Sequence, residues 1–121
     1  MLRHHRTALE EGVRLYNAGH YYDAHEVLEE AWRELPRGSE PRRFFQALIH
    51  LAVAAHHHER GRGRPAGLQY RKVLEKLAGL PPRYAGLEVT ALRALARQGL
   101  AAVEGEPLGP RPQAPLRLEA G

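Results

Sequence analysis

The chain has 121 residues, 43% of them hydrophobic and 26% charged, and a net charge of +4. That size and balance predict one globular domain with a buried core. It has no cysteine, which excludes disulfides, iron–sulfur clusters and thiolate zinc sites, so any metal must be held by His, carboxylate or neutral oxygen donors.

Helix-favouring Ala, Leu, Glu and Arg dominate, and no alternating β-branched run predicts a strand. Gly and Pro divide the chain into five predicted helices. The first covers about Arg3 to Ala18, with Leu9, Val13 and Tyr16 at helical spacing and Gly19 as the stop. The second runs from Tyr21 or Tyr22 to Leu35 on a stripe of Ala24, Leu28, Ala31, Trp32 and Leu35, ended by Pro36. The third runs from Pro41 to Arg60 behind a Ser39 N-cap. The fourth covers Pro65 to Leu80 and the fifth Leu87 to Val103. Short connections favour antiparallel neighbours. The expected fold is therefore all-α: an antiparallel bundle over residues 1–104 with a buried central third helix. A Pro-rich tail, 105–121, is expected to be extended or disordered.

No segment approaches the roughly 20 apolar residues of a membrane span. Met1-Leu2-Arg3-His4-His5-Arg6 runs into charge with no signal-like apolar stretch. The cytoplasm is the expected location, with no membrane partner. Lys72 and Lys76 are the only lysines, and the arginines are spread along the chain. Nucleic acid is accordingly a disfavoured partner. Arg60, Arg62 and Arg64 are the nearest thing to a basic patch, and no aromatic lies between them to stack a base.

The third helix is apolar around most of its circumference, from Phe44 and Phe45 to Ala55, as a central helix should be. One narrow sector holds Gln46, His50 and His57, within about 40° at 100° per residue. It either faces solvent or meets another polar strip inside the bundle. On the second helix, His25 and Glu29 are four residues apart and share a face, about 6 Å apart along the axis. Counting from the intervening turn puts Glu29 level with Gln46 to Leu48, and His25 level with His50 to Ala52. A metal set of His25, Glu29 and His50 follows, suited to Zn, Mn or Fe, with Gln46 as a hydrogen-bonding neighbour. His57 is placed nearer Tyr21 and Tyr22, as an outer or alternative ligand. The competing expectation is a polar network that only holds two helices in register.

Two segments carry a resemblance: Asn17-Ala18-Gly19-His20-Tyr21-Tyr22-Asp23-Ala24-His25-Glu26-Val27-Leu28-Glu29-Glu30-Ala31-Trp32, and Phe44 through His57. Together they resemble the prokaryotic domain of unknown function 309 family, over residues 7 to 80. The resemblance implies a small helical protein without an established activity. It also implies a His-x-x-x-Glu-x-x-Trp/Tyr motif with a suggested role in metal binding, here His25, Glu29 and Trp32. Where family members often carry Gly-Asn after the third helix, this chain has Gly61-Arg62 and Gly63-Arg64.

Trp32 is expected to pack at the site wall. His56 and His58 point about 100° to either side of His57, so they are not expected to share an ion with it. His4 and His5 are expected to face solvent near a frayed terminus. Two functions compete. One is a metal-binding bundle, hydrolase or oxidoreductase, in which an ion activates water and Glu29 or Glu26 is the base. The other is a non-enzymatic interaction module or homo-oligomer, assembled through the Leu-rich fifth helix around Leu92 and Leu95.

Overall fold

The computed structural model describes residues 3–120. In chain order it has α1 (Arg3–Asn17), α2 (Tyr21–Glu34), α3 (Glu40–Glu59), α4 (Gly63–Leu77), a two-stranded hairpin β1 (Arg83–Tyr84) and β2 (Leu87–Glu88), and α5 (Val89–Val103). The protein is all-α in class, and each helix packs chiefly on its neighbour in sequence.

Local chemistry sets the helix ends. Gly19, at φ 83°, closes α1 in the left-handed conformation. Ser39 Oγ accepts from the Arg42 N–H at 3.3 Å and caps α3, with Pro41 in its first turn. Helix α3 lies between α2 and α4, and Phe44, Phe45, Leu48 and Leu51 are all within 3% exposure. Its apolar circumference therefore faces protein on two sides.

The hairpin departs from the expected all-helical pattern, in which no strand occurs and the fifth helix starts at Leu87; α5 instead starts at Val89. Ala85 and Gly86 both take positive φ, 51° and 87°, as a two-residue primed turn needs. Tyr84 pairs with Leu87 and Arg83 with Glu88. Two-residue strands are too short to show alternation, and Ala is a rare choice for a left-handed position.

Segment 105–120 has no helix or strand and runs back over the bundle as a strap. His58 Nε2 meets the Gly109 carbonyl at 2.9 Å. The Arg111 guanidinium lies 5.0 Å from the Tyr21 ring centroid. The Asn17 amide clamps the Leu116 backbone, donating to its carbonyl and accepting from its N–H, each at 2.8 Å. The Glu119 N–H then reaches the Gly86 carbonyl at 2.9 Å.

Candidate functional site

Helix α2 buries Ala24, Leu28 and Ala31, so its opposite edge carries the polar residues. His25 Nε2 lies 3.0 Å from Glu29 Oε2. The other carboxylate oxygen, Oε1, accepts from Arg33 one turn on. One turn back, the Tyr22 ring lies 5.7 Å from the His25 ring and 6.3 Å from that of His56 on α3. The result is a ladder, Arg33–Glu29–His25–Tyr22, with rungs three or four residues apart. The His25 and Glu29 side chains are 24% and 29% exposed and that of Arg33 is 64% exposed, so the ladder lies along a half-open edge.

His50 does not join it. Its Nδ1 lies 2.7 Å from Gln69 Oε1 on α4; because an amide oxygen can only accept, this nitrogen donates. Burial holds its pKa below the ordinary value; Lys72 and Lys76 push it the same way, while the Gln69 bond and Glu75 oppose. The expected grouping of His25, Glu29 and His50 is thus not assembled. Depth along an antiparallel pair could be counted from the turn. The direction in which position 50 points could not, because α3 has a helix on either side and one residue turns the side chain by about 100°.

The other expected participants divide similarly. Gln46 is half-buried. Glu26 is exposed. His57 is half-buried with Nδ1 enclosed and unpartnered among the described residues. Burial and then Arg62 lower its pKa. It is His56, not His57, that meets Tyr22. Trp32 packs beneath Arg42, whose guanidinium sits 4.1 Å from the ring centroid; this is a wall contact of the cation–π kind.

His58 is 4% exposed, and its two nitrogens meet the Tyr70 hydroxyl and the Gly109 carbonyl. His4 is exposed as expected, but His5 is 3% exposed. The burial of His5 comes from packing: α1 starts beside the end of α2, and one face of even its first turn is covered. Leu92 and Leu95 are 2% and 5% exposed. They line a recess with Leu116 and Leu118 of the strap, so the apolar face expected to pair chains is used within this one. Among the described residues no helix is long and apolar enough to cross a membrane.

A family model described as Domain of unknown function (DUF309) matches residues 9–68, from within α1 to the first turns of α4. An uncharacterized protein of Aquifex aeolicus (strain VF5) is 30% identical over 96 residues, covering 79% of this chain and 28% of that protein. The chain therefore spans only 28% of the length of this curated relative.

Proposed function

We propose, for a chain that belongs to the family described as Domain of unknown function (DUF309), that it acts as a non-catalytic interaction module whose His25–Glu29 pair is a structural polar network. The observation that carries this reading is the occupancy of Glu29: one oxygen faces His25 and the other accepts from Arg33. A carboxylate engaged on both sides is a poor general base, and among the described residues no third His or carboxylate donor joins the pair as a catalytic metal would need. What the ladder leaves outward is Tyr22, 59% exposed, its ring held against His25 and His56. Exposed Tyr is common at contact surfaces because it combines apolar area with a polar tip. The contact face in this reading is Tyr22, His25 and His56, with a second copy of the chain as the first partner to test. Nucleic acid and membrane are not partners in it, and the location is the cytoplasm of a prokaryote.

The second reading, a divalent ion (Zn, Mn or Fe) on His25 and Glu29 with water completing the shell, is favoured by one observation. The 3.0 Å separation of Nε2 and Oε2 also equals the edge between adjacent octahedral ligands, about 3.0 Å for bonds near 2.1 Å. Metal content of protein made without a His tag separates the two readings. In the module reading, His25→Ala leaves the metal content unchanged and costs about 0.5 kcal/mol of stability. A stoichiometric ion lost with His25→Ala would overturn it. Sedimentation over a wide concentration range tests the contact face: association is expected, and Tyr22→Glu should abolish it.

A further inference from the structure

The first turn of α1 and the last turn of α2 meet at one end of the bundle, and three side chains converge there. The His4 Nε2 lies 3.2 Å from Glu34 Oε1, and the His5 Nε2 lies 3.7 Å from the same oxygen. The two imidazole rings are 4.0 Å apart. Among the described residues, this is the one group of three or more His and carboxylate residues whose donor atoms all lie within 4.8 Å of one another.

His5 makes the cluster more than an accident of surface charge. It is 3% exposed, and both ring nitrogens are enclosed with no hydrogen-bond partner among the described residues. A buried imidazole in that condition is unfavourable, because both nitrogens have left water without gaining a partner. The 3.7 Å approach to Glu34 is too long for a hydrogen bond. It suits a different arrangement. With metal–nitrogen and metal–oxygen bonds near 2.1 Å, neighbouring donors of a tetrahedral ion lie about 3.3–3.5 Å apart. The observed 3.2 and 3.7 Å separations bracket that edge. Glu34 also sits in the last turn of α2, where a carboxylate opposes the helix dipole and gains from a cation.

We propose that His4, His5 and Glu34 form a three-donor site for a zinc-class divalent cation, two imidazole nitrogens and one carboxylate oxygen. That donor set is a zinc set, with a fourth position left for water. A recess of about 290 Å³ adjoins His4 and Glu34, walled by Ala8, Val27, Glu30 and Ala31. The ion satisfies the His5 ring and fastens the start of α1 to the end of α2, so its binding couples to folding. This site is independent of the His25–Glu29 ladder, whose carboxylate is already engaged.

The test is calorimetric titration of zinc chloride into the full, tag-free chain, with cobalt(II) substitution read by visible absorption. One equivalent of zinc should bind, raise Tm, and give cobalt bands of tetrahedral intensity. His4→Ala and Glu34→Gln, both at exposed positions, should fold normally and weaken binding about tenfold or more. His25→Ala should leave affinity unchanged. Absence of binding to the wild-type chain overturns the site. So does an affinity indifferent to His4→Ala and Glu34→Gln, or one lost only with His25→Ala.

Discussion

The Tyr70 hydroxyl lies 2.8 Å from Nδ1 of His58, deep between α3 and α4. The opposite nitrogen of His58 faces the Gly109 carbonyl, which can only accept, so Nε2 carries the proton and Nδ1 accepts from the tyrosine. Burial raises the Tyr70 pKa to about 12, which keeps that hydroxyl a donor across the ordinary pH range. His58→Leu, close to histidine in volume, leaves both partners unsatisfied and should cost about 2 kcal/mol in chemical denaturation. A variant as stable as the wild type would show that the strap does not depend on this histidine.

Gly99 is the reason the Tyr70 ring can sit where it does. A Cβ at position 99 would lie 2.2 Å from Tyr70 Cζ, and Tyr70 is 1% exposed with nowhere to retreat. Gly99→Ala gains about 1 kcal/mol of helix propensity and loses about 3 kcal/mol to overpacking. The packing loss wins, and thermal unfolding should show a lower Tm. A raised Tm would mean that α5 can shift outward freely.

The strap is held at its far end by Asn17, which both donates to and accepts from the Leu116 backbone. Asn17→Asp replaces the donating amide by an oxygen that faces the Leu116 carbonyl. We expect the strap to lift and limited proteolysis to cut within 110–120, with the helices intact. Unchanged protection would mean that Leu116, at 7% exposure, suffices to anchor it.

Acid should weaken the fold through His50. Its folded pKa lies below the ordinary histidine value, chiefly because it is buried. Above about pH 6.5 the imidazole is neutral in both states and its contribution is complete. As pH falls below that, the unfolded chain takes up the proton first. Stability then declines until the folded pKa is passed, at no more than about 1.4 kcal/mol per pH unit for one group. His5, His56 and His57 are shifted the same way, so His50→Asn should remove part of the acid slope in denaturation midpoints. An unaltered slope would exclude His50 as a contributor.

Features that depend on neighbours along the chain were legible from the residues alone. Gly19, Pro36 and Ser39 fixed where α1, α2 and α3 begin or end, because caps and stops act within a turn. The spacing of His25 and Glu29 put them in contact, because residues four apart on a helix share a face. Features that depend on helix rotation and on distant segments were set by how the elements pack. His50 faces Gln69 rather than Glu29 because α3 has helices on two sides. His5 is buried because the end of α2 covers it, and Leu92 and Leu95 are enclosed within the chain, beside a tail held by Asn17 and His58. Periodicity says which residues lie on one face; it is packing between elements far apart in sequence that says what each face meets.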